Sequence, residues 1–171
     1  MTGQPRHLVV IRHARAEPGG ETDHERELAP RGWDDALEAG RWLADSGVVP
    51  DAALVSSARR TASTWAALAQ GGSFEAEVTY SDSLYAAGPE TALDLVRETH
   101  DDVTALVVVG HNPTMAYLAQ LLDDGTGDEE AAREMATGFP TGAVAHFEVT
   151  VAWAELDLAS ARLVGFHAGP G

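Results

Sequence analysis

The sequence predicts a single three-layer α/β/α domain with a mostly parallel sheet. Short β-branched apolar runs, such as residues 8–11 and 105–109, alternate with segments whose apolar residues recur at helical spacing. The runs are continuous, which is typical of strands that helices cover on both faces. With 171 residues, of which 44% are apolar, the chain suits one hydrophobic core, so we expect one domain over residues 1–171.

The first elements follow this strand-then-helix order. Residues 8–11 form the first strand, and the Pro- and Gly-containing segment 17–32 predicts a loop. A helix is expected from Trp33, where apolar residues recur at helical spacing, to a stop at Gly47. Residues 52–55 then predict a second buried strand.

The middle of the chain repeats the pattern. Alanines and a tryptophan at helical spacing predict a helix over 58–69, which two glycines end. Residues 75–80 predict a third strand, and 89–100 a helix with proline in its first turn. Residues 105–109 predict a strongly apolar fourth strand.

The last elements are shorter. Asn112 suits the N-cap of a helix that begins after the fourth strand, and a short helical piece is expected near 131–135. Apolar and polar residues alternate over 143–151, which predicts a half-exposed strand with His146 on the solvated face. Residues 162–166 predict an edge strand.

Composition excludes several functions. The chain has 27 acidic residues and 11 basic residues, and its formal net charge is −16. All 11 basic residues are arginine. Such a surface repels nucleic-acid backbones and anionic lipid headgroups, so we expect neither as a partner. The absence of cysteine removes disulfides, thiolate metal sites and cysteine nucleophiles. Without a spanning segment or a signal-peptide core near the N-terminus, we expect a cytoplasmic protein.

Polar side chains follow three of the predicted strands. Because the carboxyl ends of parallel strands meet at one edge of a sheet, where ligands bind in open α/β folds, we expect these side chains to converge. They are Arg12 and His13 after the first strand, Arg59 and Arg60 after the second, and His111 and Asn112 after the fourth.

This combination suits phosphoryl transfer. Arginine donates paired, charge-assisted hydrogen bonds to phosphate oxygens, and helix N-termini add anion-binding N–H groups. A neutral imidazole can attack phosphorus, and neighbouring arginine charges favour the neutral form. We find no His and carboxylate cluster at metal-ligand spacing, so the chemistry is expected to need neither metal nor cofactor.

At these residues the sequence resembles the histidine phosphatase superfamily, the phosphoglycerate-mutase-like group. The segment around Arg12 and His13 is similar to its Arg-His-Gly signature, with Ala14 in place of glycine. The Ser-x-x-x-Arg-x-x-x-Thr spacing at residues 56–64 and the Gly-His-Asn-Pro segment at 110–113 resemble the SixA-like phosphohistidine phosphatase branch. The resemblance extends from about residue 8 to residue 147.

The resemblance implies a role for each of these residues. His13 would accept the phosphoryl group, while Arg12, Arg60 and His111 would clamp its oxygens. Water would then hydrolyse the phosphohistidine. Arg26 is the best match for a further loop arginine. The implied substrate is a phosphorylated protein side chain, phosphohistidine first, with a small phosphomonoester as the alternative.

Several alternatives stay open at this point. Asn112 is a further candidate for contact with the phosphate, and the clamp arginine can be Arg59 instead of Arg60. Many relatives carry an acidic residue after the third strand that protonates the leaving group, and Asp82 is the candidate here. Without such an acid, the chain could instead be a slow phospho-ligand binding or regulatory module. The other histidines, including His7 and His24, are expected to have surface or capping roles.

Overall fold

The computed structural model describes residues 3–170, and the apolar runs form one six-stranded sheet. The strands are β1 (Arg6–Arg12), β2 (Ala52–Ser56), β3 (Glu77–Ser81), β4 (Ala105–Gly110), β5 (Val144–Val149) and β6 (Ala161–His167). They lie in the order β3-β2-β4-β1-β5-β6. β1 to β4 run parallel, and β5 is antiparallel to both β1 and β6. The predicted α/β fold with a mostly parallel sheet is confirmed.

Helices cover both faces of this sheet. They are α1 (Pro30–Asp45), α2 (Arg59–Gly72), α3 (Asp82–Tyr85), α4 (Pro89–Arg97), α5 (Thr114–Leu122) and α6 (Glu129–Thr137), with short 3₁₀ helices at Asp23–Glu25 and Trp153–Glu155. None of the helices within residues 3–170 is long and apolar enough to cross a membrane.

Each face of the sheet has its own core because strand side chains alternate between faces. Leu8 and Val10 of β1 pack in the core that contains apolar residues of α4, α5 and α6. Val9 and Ile11 pack on the opposite face with residues of α1 and α2. These four side chains are buried, so both faces of the sheet hold the part of β1 that leads to Arg12.

Two glycines fix how α2 lies against α1. A Cβ atom at Gly40 would collide with the carbonyl oxygen of Leu68, and one at Gly71 would collide with that of Leu37. The two helices therefore approach closely only because these positions lack side chains. This contact fixes α2, whose first turn carries Arg59 and Arg60.

The structure differs from the sequence expectations at several elements. α1 begins at Pro30, three residues before Trp33, because proline suits the first turn of a helix. The prediction that the 143–151 strand is half exposed is wrong. β5 lies inside the sheet between β1 and β6, and His146 is only 6% exposed. The short helix α3 was not predicted.

Candidate active site

The site lies at the carboxyl edge of the parallel strands, where β1 and β4 end side by side. Arg12 pairs with Gly110 in the strand register, so His13 and His111 follow neighbouring strand ends. The structure brings their rings together, with centroids 5.4 Å apart. Together with Arg12 and Arg60 they form what we call the His–Arg cluster.

The backbone fixes the tautomer of His13. Its Nδ1 lies 2.7 Å from the carbonyl oxygen of Ala14, and a carbonyl only accepts, so Nδ1 carries the proton. The Nε2 atom therefore keeps its lone pair. Ala14 N in turn donates to Thr64 Oγ1 at 2.9 Å, and Thr64 Oγ1 donates to the Arg60 carbonyl at 2.7 Å. One buried hydroxyl thus ties the segment that holds His13 to α2.

The surroundings keep His13 uncharged. Burial is the largest cause that lowers the pKa of His13 to about 4, and the charges of Arg60, Arg12 and Arg26 act in the same direction, whereas the hydrogen bond to Ala14 opposes them. At neutral pH the ring is therefore a neutral imidazole, the form in which nitrogen is a nucleophile.

His111 is oriented from both of its ring nitrogens. Its Nδ1 accepts from Arg60 Nη2 at 3.2 Å, since a guanidinium only donates. With Nδ1 as the acceptor, the neutral ring carries its proton on Nε2, which lies 2.7 Å from Ser56 Oγ. Burial, followed by the charge of Arg60, lowers the pKa of His111 to about 3.

The two arginines of the His–Arg cluster retain unused donors. Arg60 is 6% exposed, and its Nη1 and Nη2 bind the main-chain and side-chain oxygens of Asp23 at 2.7 and 3.0 Å. Arg12 Nη1 donates to the carbonyl of Phe139 at 3.2 Å. The Nε atoms of both arginines are buried and have no hydrogen-bond partner within residues 3–170. Unsatisfied buried donors are costly, and an anion would satisfy them.

Comparison with known proteins places this arrangement in a family, although no family model matches the sequence. The chain is 41% identical over 159 residues to an uncharacterized protein of Mycobacterium tuberculosis, spanning 92% of this chain and 98% of that protein. The solved structure provisionally named phosphohistidine phosphatase SixA from Nakamurella multipartitia is 32% identical, with a TM-score of 0.87 over the whole of both chains. This chain belongs to the histidine phosphatase superfamily.

More distant structures of the superfamily share the fold. A provisionally named SixA from Agrobacterium tumefaciens is 28% identical, with a TM-score of 0.79 over 98% of this chain and all of that one. The protein histidine phosphatase SixA complexed with tungstate is 19% identical, with a TM-score of 0.72 over 95% of this chain and 96% of that one. The fold of this superfamily member is thus the phosphoglycerate-mutase-like fold of its neighbours.

Two other predicted residues of this histidine phosphatase superfamily member lie next to the His–Arg cluster. Asn112 Nδ2 donates to the Phe139 carbonyl at 2.9 Å, and its Oδ1 accepts from Ala116 N at 3.2 Å. It therefore joins the loop at Phe139 to the first turn of α5. Arg26 donates from Nε to the Glu17 carbonyl at 3.0 Å, and its charge contributes to the lowered pKa of His13.

The structure does not bring Arg59 and Asp82 into the cluster. Arg59 points outward with 60% of its side chain exposed, and it forms an ion pair with Glu27 at 3.3 Å. Asp82 is exposed at the start of α3. Within the described residues its carboxylate makes no hydrogen bond or ion pair. Arg60, buried beside His111, is the arginine of the pair that faces the cluster.

Three residues at the site were not predicted from the sequence. Asp23 binds Arg60 and also accepts from Tyr85 Oη at 2.7 Å. The Tyr85 ring lies edge-on to both His111 and His24, at 5.5 and 4.9 Å between centroids. The Nε2 of His24 is 2.9 Å from Ser57 Oγ, so this histidine borders the site instead of lying in an unrelated loop.

A cleft lies beside Arg12, which is the member of the His–Arg cluster that lines it. It has a volume of about 510 Å³ and is lined by α6, the loop that contains Phe139, and Phe166 of β6. In residues 3–170 no group of three or more His, Asp or Glu side chains is arranged to hold a metal ion. The site thus offers a neutral imidazole and buried cationic donors, with a cleft beside Arg12.

Proposed function

We propose that this chain is a phosphatase that forms a covalent phosphohistidine on His13 and acts on phosphohistidine of a protein. The observation that carries the proposal is that, within residues 3–170, the neutral His13 ring leaves Nε2 without a hydrogen-bond partner beside the unpartnered, buried Nε–H groups of Arg12 and Arg60. A nucleophile and a binding site for the oxygens of a phosphoryl group therefore lie within one cluster.

The reaction has two steps. The Nε2 lone pair of His13 attacks phosphorus, and the electron pair of the breaking bond leaves with the leaving group. Water then attacks the phosphorus of the phosphohistidine, the P–N bond breaks, and His13 recovers its lone pair as inorganic phosphate departs. Catalysis of loose phosphoryl transfer depends on positioning and on charge stabilisation.

Each residue of the cluster has a distinct role in this scheme. Arg12 and Arg60 bind the equatorial oxygens, and His111 completes the clamp through its Nε2–H, which turns from Ser56 Oγ to a phosphate oxygen when substrate binds. Asn112 positions the loop that carries Phe139 and thereby Arg12, since both side chains bind the same carbonyl. Arg26 adds positive charge at the rim, and we assign no phosphate contact to Arg59.

The preference for phosphohistidine follows from the state of the carboxylates. The hydrogen bond from Tyr85, followed by that from Arg60, holds the pKa of Asp23 well below its usual range. Asp23 therefore cannot protonate an alkoxide, and Asp82 is exposed without a contact to the cluster. A phosphohistidine whose second ring nitrogen is already protonated needs no such acid, because its ring departs as neutral, weakly basic imidazole. The open cleft beside Arg12 also suits a side chain presented by a protein.

The test is to trap the intermediate. The protein is incubated in EDTA with ³²P-labelled phosphohistidine on a protein and, separately, with labelled p-nitrophenyl phosphate, then quenched in alkali and mapped. We expect acid-labile, alkali-stable label on His13 and release of inorganic phosphate.

Label on another residue, or turnover that EDTA abolishes and a divalent metal restores, would contradict the proposal. Stable binding of phosphorylated protein without phosphate release would instead favour a phospho-ligand binding module. Turnover of p-nitrophenyl phosphate alone would favour a small phosphomonoester as substrate.

A further inference from the structure

The carboxylate of Asp23 binds Arg60, one of the two arginines of the proposed clamp. Asp23 Oδ2 is 3.0 Å from Arg60 Nη2, and the Asp23 carbonyl accepts from Arg60 Nη1 at 2.7 Å. Tyr85 donates to the same Oδ2 at 2.7 Å, and Arg26 Nη1 donates to Oδ1 at 3.2 Å. Half of this side chain, 53%, is nevertheless exposed.

The two carboxylate oxygens differ in what they can still accept. Among residues 3–170, Oδ2 has two donors, Arg60 and Tyr85, whereas Oδ1 has one, Arg26. Each carboxylate oxygen has two lone pairs, so Oδ1 retains an acceptor position on a side chain that is about half exposed beside the His–Arg cluster. A substrate group that carries an N–H can bind there.

The charge of Asp23 also has a cost for binding. A phosphoryl dianion bound by Arg60 would lie close to the negative carboxylate of Asp23, which binds the same guanidinium. Like charges at short distance repel. That repulsion disappears when the leaving group beside Asp23 is positive. A phosphorylated imidazole protonated on its second nitrogen has this property, and a phosphomonoester of a neutral alcohol does not.

We propose that Asp23 is a specificity-determining residue, which selects phosphoryl groups bound to a protonated nitrogen heterocycle by accepting its N–H and disfavours simple phosphomonoesters. The inference deepens the proposed function and rests on it. Tyr85 and Arg26 are positioning residues that hold the carboxylate at the rim.

The chemistry of the first step is consistent with this role. The substrate imidazole carries the phosphoryl group on one nitrogen and a proton on the other, which Asp23 binds. As His13 Nε2 attacks, the P–N bond breaks and its electron pair returns to the substrate nitrogen. The ring leaves as neutral imidazole with the proton it already carried, so no proton has to be supplied during the step.

The test compares two substrates in one pair of variants. In Asp23→Asn we expect kcat/KM for a phosphohistidine peptide to fall about tenfold, the effect of losing one hydrogen bond to a charged group. We expect kcat/KM for p-nitrophenyl phosphate to rise about threefold, because removal of a nearby like charge lowers the repulsion. Glu25→Gln is the matched control: it removes the same charge from the same 3₁₀ turn, where Glu25 is exposed, and should leave the ratio unchanged.

A purely structural role would move both substrates together. Parallel losses, parallel gains or an unchanged ratio in Asp23→Asn would therefore overturn the inference. Tyr85→Phe, which keeps the ring and removes only the hydrogen bond to Asp23, should shift the ratio in the same direction by a smaller factor. If wild-type protein forms no label on His13, the proposed function fails and the inference fails with it. A labelled His13 with an unchanged ratio overturns the inference alone.

Discussion

The chain contains two pairs of neighbouring imidazoles, one at each end of β1. His13 and His111 lie at the carboxyl edge of the sheet with ring centroids 5.4 Å apart. His7 and His146 lie toward the amino end of β1 at 5.1 Å. One histidine of each pair, His13 and His146, has a pKa lowered to about 4, and burial is the largest cause for both. By this value alone, His13 and His146 are alike.

They differ in what each ring nitrogen binds. His7 Nδ1 and His146 Nε2 are joined by a hydrogen bond of 2.9 Å, so each ring uses a nitrogen on the other. His13 gives its Nδ1–H to the backbone, and in the part of the chain that the structure describes its Nε2 has no partner and lies beside arginines with unpartnered donors. A lowered histidine pKa therefore marks burial, whereas a free nitrogen next to unsatisfied cationic donors marks a reaction site.

The largest expected effect follows from this difference. His13→Ala removes the only ring nitrogen that the scheme uses to attack phosphorus, so kcat should fall by at least about 10⁴-fold. His7→Ala, in the other pair, should leave kcat within about threefold, because its ring binds His146, which the scheme does not use. Both are measured by phosphate release from phosphohistidine peptide. Substantial turnover in His13→Ala would remove the distinction between the two pairs.

The adjacent arginines allow a similar contrast within one helix turn. Arg60→Lys keeps the charge but loses the planar donor fork, so kcat/KM should fall about 10²-fold. Arg59→Ala removes only an exposed ion pair with Glu27, and such pairs contribute little, so we expect less than about a threefold change. Equal losses of kcat/KM in the two variants would show that Arg59 also belongs to the site.

The third effect concerns positioning of the nucleophile. Thr64→Val leaves the buried Ala14 N without its acceptor and detaches the His13 segment from α2, so kcat should fall about tenfold while KM changes little. Thr64→Ser restores the hydroxyl and should recover most of the rate. An equal loss in both variants would mean that packing by the threonine methyl group, and not the hydrogen bond, holds His13.

Part of this architecture could be predicted from sequence because it depends on local pattern. Continuous β-branched runs identify buried parallel strands, and parallel strands must end at one edge. The proximity of His13 and His111 follows from that topology alone. Arg60 could not be separated from Arg59 in this way, since adjacent helix residues point about 100° apart and only packing of α2 decides which one is buried.

The rest depends on contacts between distant segments. Asp23 is one of several acidic residues in a loop, and only the path of that loop over Arg60 brings it to the cluster. Tyr85 belongs to a four-residue helix that no periodicity indicates. His146 lies on a face that alternation marks as polar, but β6 encloses β5 at the sheet edge and His7 supplies the bond that its ring requires.

The smallest predicted effect is on stability, and it should be similar in both pairs. An unfolded histidine takes up a proton as the pH falls below its usual pKa of 6.5, whereas folded His13 and His146 do so only near a pKa of about 4. The unfolded state binds more protons between these values, so the free energy of unfolding decreases as the pH falls from 6.5 to about 4. Urea unfolding at pH 7 and pH 4.5 should show a smaller decrease in both His13→Gln and His146→Gln than in wild type. A decrease that only His13→Gln reduces would mean that His146 is protonated in the folded protein, and the two pairs would then differ in burial as well as in chemistry.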